Sequence, residues 1–181
     1  LATVRGTLKN SDGSPVTTAS VFVPYGKTML KAYPDKDGVF AFKASPGNLE
    51  LKIEDIGRET ASDQLTVPAG GEVTAPAVAL KAASRIRFDI TDAEGRSMPC
   101  KAHFEPLDEG APKLDLGPKH RAHGCIDQYH SEKGQFTVQL PPGRYRVIVV
   151  RGLEYDHIEK EITLAAGQEA VLKGKLSRVV N

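Results

Sequence analysis

Residues 4–23 read VRGTLKNSDGSPVTTASVFV, and residues 86–104 read IRFDITDAEGRSMPCKAHF. Each starts with apolar residues at alternate positions and turns at an acid–glycine pair, Asp12-Gly13 or Glu94-Gly95. Each then steps through polar residues to a proline, Pro15 or Pro99, and resumes the alternation. Alternation with period two is the side-chain period of a half-buried strand. An acid–glycine pair supplies the positive φ that a tight hairpin requires. The likeness continues in the same order: DGVFAFKASPGNLELKI (37–53) with KGQFTVQLPPGRYRVIV (133–149), then LTVPAGGEVTAPAVAL (65–80) with ITLAAGQEAVLKGKL (162–176). Three matched blocks in one order mark an internal repeat.

The repeat divides the chain into residues 1–83 and 84–181, joined through Lys81-Ala82-Ala83-Ser84, with an insertion in the second copy at about 105–128. In RYRVIVV, Tyr145, Val147 and Val149 share one face and Arg144 and Arg146 the other. One buried and one solvated face per strand, with turns built on Asp-Gly, Pro-Gly and Ala-Gly, is the pattern of antiparallel sheets packed in pairs. The expected fold is all-β: two tandem antiparallel Greek-key β-sandwiches of about seven strands each.

Composition excludes several functions. Of 181 residues, 40% are hydrophobic and 26% charged, and 24 basic residues nearly cancel 23 acidic ones. That balance excludes intrinsic disorder, which needs low hydrophobicity and a large net charge. It also argues against a nucleic-acid partner, which demands a surplus of Lys and Arg. The balance holds within each copy, nine basic against nine acidic up to residue 83 and fifteen against fourteen beyond it. No apolar run approaches the roughly 18–20 residues of a membrane span. The chain opens at Leu1 without Met and is read as a piece of something longer. Cys100 and Cys125 are too few for a disulfide framework; two free thiols are the plainer reading and one bridge the other.

The unit V-x-G-x-(L/V), D/E-G-x-P, D-x-G-x-F, P-G-x-(Y/L)-x-(L/V) resembles the carboxypeptidase regulatory-like domains. The resemblance implies a transthyretin-like sandwich with an accessory role, and a periplasmic or secreted setting. A sharper resemblance lies in the second copy. Gly134-Gln-Phe136, Leu140-Pro-Pro-Gly143-x-Tyr145-x-Val147 and Arg151-Gly152-x-Glu154-Tyr155 look like the sandwich that precedes the catalytic domain of CehA/McbA-type metallohydrolases, in the PHP superfamily. In that family a strand ending as Leu176-Ser177-Arg178 does here leads into the first metal-binding histidines, so the resemblance implies a downstream catalytic domain as partner.

Candidate chemistry gathers in the insertion. His120-Arg-Ala-His123-Gly-Cys125 offers two imidazoles and a thiol within six residues, a ligand set suited to zinc or copper, with Asp127 or His130 as a fourth ligand. An exposed polar loop is the plainer reading. Asp35-Lys36-Asp37-Gly38 opens like a calcium loop, but Val39, Phe40 and Ala41 follow where ligands would stand, so it reads as a hairpin turn. Arg151, Glu154 and Tyr155 form the densest polar stretch outside the insertion. It has no nucleophile with a paired base. Arg151 is expected to pair with Glu154 or Asp156 across a bend, and Tyr155 to pack on the neighbouring domain, which makes the stretch a candidate interface. With no Trp, only Tyr25, Tyr33 and Tyr129 stand near loops as sugar-stacking rings.

Three readings of function follow. The first is a non-catalytic accessory or assembly pair of sandwiches with no resident cofactor, in the N-terminal region of a metal-dependent hydrolase. The second is a ligand- or carbohydrate-binding or adhesion module of a cell-envelope protein. The third is a small metal-binding protein using His120, His123 and Cys125. Exposed sheet edges add dimerisation by strand pairing. Fold alone does not choose among them.

Overall fold

In the computed structural model of the chain, residues 1–111, 113–117 and 123–180 are described. Among them run sixteen strands and no helix, so no helix is long and apolar enough to cross a membrane. The chain divides into two compact units, Leu1–Ala83 and a second beginning at Ser84.

The first unit holds β1 (Ala2–Asn10), β2 (Ser20–Tyr25), β3 (Thr28–Ala32), β4 (Val39–Ala44), β5 (Gly47–Glu54), β6 (Ala61–Val67), β7 (Glu72–Thr74) and β8 (Val78–Leu80). One sheet runs β4-β1-β7, with β8 also on β1; the other runs β3-β2-β5-β6. Their inner faces share one core, Val4, Leu8 and Phe40 from the first sheet meeting Val21, Val23, Leu51 and Ile53 from the second.

The second unit holds β9 (Arg85–Thr91), β10 (Cys100–Pro106), β11 (Gly124–Cys125), β12 (Gln128–Ser131), β13 (Gln135–Gln139), β14 (Gly143–Val150), β15 (Ile158–Leu164) and β16 (Glu169–Lys175). Its sheets run β13-β9-β16 and β11-β12-β10-β14-β15. Phe88, Ile90 and Leu172 from one and Ala102, Phe104, Val147 and Val149 from the other fill its core.

The pairings repeat along with the sequence. β1 lies antiparallel to β4 as β9 does to β13, and the β2–β5–β6 ladder recurs as β10–β14–β15. Seven strands are common to the two units. The eighth comes in the first unit from a break at Pro76, which has no N–H for the ladder, and in the second from β11.

Two expectations are corrected. The sheets are not purely antiparallel: β1 pairs β7 and β8 in parallel, and β9 pairs β16 in parallel. The last strand reaches the first by crossing from the opposite sheet, and a crossover permits the parallel direction that a hairpin forbids. Nor are Pro15 and Pro99 equivalent. Pro15 bridges Lys9, and the residue in that place in the second unit is Ser97, bridging Thr91. The turns before them do match: Gly13 N–H donates to Asn10 O and Gly95 N–H to Asp92 O.

The glycine of the D-x-G-x-F block has a steric cause. A Cβ on Gly134 would lie 1.7 Å from the carbonyl oxygen of Ile90, and one on Gly38 2.5 Å from that of Leu8. The main chain of the first strand passes so close because Ile90 N–H donates to Gly134 O (2.9 Å) and Leu8 N–H to Gly38 O (2.9 Å). Asp35 does close a turn, its Oδ1 accepting the N–H of Asp37 (2.9 Å) and of Val39 (3.0 Å). Cys100 and Cys125 are free thiols.

Candidate functional site

In the first unit, β2 and β3 are joined by Gly26-Lys27 alone; in the second unit, residues 107–127 fill the equivalent gap between β10 and β12. Alternation along β10 sends Phe104 into the core and turns His103 and Glu105 outward. Phe104 N–H donates to Asp127 O (2.9 Å), which brings the Asp127 carboxylate to His103: Nε2 lies 3.2 Å from Oδ2. Both side chains are about a third exposed, 36% and 38%.

Ile126, one residue before, has φ 54°. A β-branched side chain in the left-handed region costs on the order of 1–3 kcal/mol and persists only where surroundings impose it. Here two backbone bonds do so, Ile126 N–H to Gly117 O (2.8 Å) and Leu116 N–H to Ile126 O (2.7 Å).

His103 and Asp127 open onto a cleft of about 340 Å³, together with Glu105, Asp108, Lys113 and Leu114. The outward arginines of β14 hold two of its acids. Arg144 meets Asp108 through Nε (3.1 Å) and its backbone N–H (2.8 Å), and Arg146 bridges Glu105 (2.9 Å) and Glu159 (3.3 Å). That leaves the His103–Asp127 pair and Lys113 facing the opening. No Ser, Thr, Cys or Tyr stands among the described lining residues. A paired imidazole, an ammonium and an apolar wall can hold a polar ligand.

Of the three residues singled out in the sequence as a metal set, His123 and Cys125 are described. His120 lies outside the described residues. His123 turns Nδ1 to the carbonyl oxygen of His130 (3.1 Å), and its ring lies 5.9 Å from that of Tyr129. Cys125, half-buried, pairs Gln128 across β11 and β12. Among the described residues, no three His, Cys, Asp or Glu side chains gather as a metal set. Cys100 lies in the core, where burial pushes its thiol up to about 11 against the opposing pull of Arg151. Tyr129 stacks on Phe136 (5.4 Å, 5°), so that face is closed to a sugar, while Tyr25 and Tyr33 are exposed.

The stretch from Arg151 makes other pairings than expected. The Arg151 guanidinium lies 5.1 Å over the Tyr155 ring and donates to Pro99 O (3.3 Å). Glu154 pairs with Arg178 (2.8 Å), and Tyr155 packs on the core of its own unit. Asp156 Oδ1 accepts the Ser177 N–H (2.7 Å), Asp156 N–H donates to Ser177 O (3.0 Å), and Val179 N–H donates to Glu154 O (2.8 Å). The loop is a clamp on residues 177–179. Alternation marked Arg144 and Arg146 as solvent-facing. The His103–Asp127 pair spans 24 residues and follows only from the β10–β12 register.

Residues 3–81 match the carboxypeptidase regulatory-like domain. No curated protein sequence matches the chain. Among solved structures the chain is similar to the Bacillus anthracis TIE protein, at 13% identity over 98% of this chain and 34% of that one, with a TM-score of 0.41. It is similar to GBS52, the minor pilin of Streptococcus agalactiae, at 8% identity over 100% of this chain and 98% of that one, with a TM-score of 0.46. The shaft pilin SpaA from Lactobacillus rhamnosus GG gives 12% identity over 99% of each chain and a TM-score of 0.44. The chain spans 34% of the length of the TIE protein and 62% of the streptococcal ancillary pilin.

Proposed function

We propose that this chain is a non-catalytic accessory module that holds and orients a region attached to it. The observation that carries this reading is the clamp: Glu154, Tyr155 and Asp156 are committed to residues 177–179 by an ion pair, a β-bridge of two backbone hydrogen bonds and one further hydrogen bond to the Asp156 carboxylate. Two of these contacts come from side chains, Glu154 and Asp156, and the rest from backbone, and together they fix a segment of chain in direction. The match of residues 3–81 to a domain described as regulatory-like supports the same reading.

At finer resolution, the attached region is a metal-dependent hydrolase domain and the setting is the periplasm or cell exterior. The support is the resemblance of Gly134–Tyr155 to the sandwich preceding the CehA/McbA-type catalytic domain. In that resemblance Leu176-Ser177-Arg178 leads to the metal-binding segment, and Ser177 and Arg178 are the residues the clamp grips. The test is the coding sequence beyond Asn181. A continuing frame that encodes a histidine-rich hydrolase segment is expected; a stop codon, or an unrelated domain, overturns the hydrolase assignment.

The cleft favours a second reading, a module that binds a polar ligand such as a carbohydrate through His103, Asp127 and Lys113. Glycan-array binding that Asp127→Asn abolishes would establish it, and an array without signal would remove it. A metal role for His123 and Cys125 with His120 is a third proposal. Metal analysis of the purified chain decides it, near-zero stoichiometry being the negative result.

A further inference from the structure

Four of the large apolar side chains that solvent reaches, Tyr25, Met29, Leu30 and Tyr33, lie on or beside β3, the edge strand of the β3-β2-β5-β6 sheet. Leu30 is 43% exposed although it sits opposite Val23, which is buried in the core, so the inner face of this sheet is left partly open at its margin. One edge in the second unit is guarded. β15, the edge of the equivalent sheet in the second unit, carries Glu159, Lys160 and Glu161. β3 has a single charge, Lys31, whose ammonium lies 4.8 Å over the Phe22 ring. An apolar, lightly charged edge strand is a template for another strand.

The pairing with β2 fixes which main-chain groups are free. Tyr25 and Thr28 face each other across the two-residue loop Gly26-Lys27, and the register continues Pro24↔Met29, Val23↔Leu30, Phe22↔Lys31. The pair closing a two-residue hairpin loop exchanges hydrogen bonds, and bonded pairs alternate with unbonded ones. Val23 and Leu30 therefore bond to each other, while Pro24, which has no N–H, takes an unbonded place. Pairing of β2 with β5 likewise stops at Phe22, short of Pro24. By this alternation Met29 and Lys31 turn their N–H and C=O groups outward.

We propose that β3 pairs antiparallel with β3 of a second copy of this chain, about a two-fold axis at Leu30. That register sets Met29 against Lys31 of the partner subunit, and Lys31 against the partner's Met29, so all four outward residues exchange hydrogen bonds. It sets Leu30 against the partner's Leu30, closing the open margin of the core face. Lys27 faces the partner's Tyr33. No lysine meets a lysine and no acid lies in the strand, so the edge is complementary to itself, as an isologous contact requires. The two four-stranded sheets become one of eight. A contact of five residues a side is small, so association is weak and concentration-dependent. This proposal is independent of the accessory reading.

The test is sedimentation equilibrium of the whole chain over a concentration series, with Leu30→Lys as the disrupting variant. Leu30→Lys puts two ammonium groups together at the axis while leaving an exposed site with a soluble side chain. A dimer in the parent chain, lost in Leu30→Lys with an unchanged circular dichroism spectrum, is expected. A monomer up to about 1 mM overturns the proposal, and so does a dimer that persists in Leu30→Lys. The register is read by mild oxidation in a Cys125→Ser background. Leu30→Cys should cross-link between copies and Thr163→Cys on β15 should not; cross-linking equal in the two, or absent from Leu30→Cys, overturns it.

Discussion

The carbonyl oxygen of Ile90 occupies the place where a side chain at Gly134 would begin, 1.7 Å from where a Cβ would stand. The block that announces the repeat is thus fixed by a backbone crossing, and the same crossing between Leu8 and Gly38 fixes it in the first unit. Gly134→Ala must push the first strand away and break the Ile90–Gly134 hydrogen bond. It should cost about 2–4 kcal/mol in urea unfolding. Gly70→Ala, with open space around it, should shift the midpoint little. Equal costs would mean the crossing is not what requires glycine.

Cross-strand partners at one position differ between the units. Phe136 stacks on Phe88 (4.4 Å, 2°), whereas Phe40 lays its ring over Gly6. Gly6→Ala places a methyl group 2.2 Å from the Phe40 ring and should destabilise by about 1–3 kcal/mol through overpacking. Combining it with Phe40→Leu should recover part of that loss, a coupling that a double-mutant cycle measures.

Thiol labelling tests the second core. Cys100 is buried among Ala102, Phe104 and Val149 with its thiol raised to about 11, while Cys125 is half-buried. At pH 8 in the folded chain, iodoacetamide should mark Cys125 and spare Cys100 until denaturant is added. The sign at alkaline pH follows: stabilisation from the protonated Cys100 thiol is complete below its ordinary 9.0 and lost as pH rises through about 11.

Acid should loosen the turns. Asp35 is held below its ordinary 3.8 by the backbone N–H of Val39 and then of Asp37, and Asp12 by the Ser14 hydroxyl and N–H. Glu169 is lowered by the Arg85 guanidinium first and by Arg87 as well. A depressed carboxyl stabilises the fold above its unfolded pKa and stops doing so as pH falls through its folded value. Stability should therefore decline below about pH 4. Asp35→Asn should flatten part of that slope in denaturation curves recorded between pH 2 and pH 6.

Duplication, two-faced strands and hairpin turns were legible in the sequence because each rests on neighbours in the chain: alternation, Asp-Gly, Pro-Gly. Parallel closure by β7, β8 and β16 was not, since it depends on which sheet the last strand rejoins. Pro15 and Pro99 misled because proline marks a turn without marking a ladder position, and the true counterpart of Pro15 is Ser97. The insertion was located, but not the His103–Asp127 pair, which needs β10 and β12 in register. Arg151, Glu154 and Tyr155 were singled out for their chemistry. Their partners, Pro99 and Arg178, lie far along the chain and emerge only in the fold.

Turnover by the purified chain tests the accessory reading most directly. Ester, phosphate and amide substrates would be offered with zinc, with manganese and with neither. The expected result is hydrolysis no faster than in buffer under every condition, unchanged in His103→Ala and Asp127→Asn. Hydrolysis above buffer that either substitution abolishes would contradict it, and would make the His103–Asp127 cleft an active site.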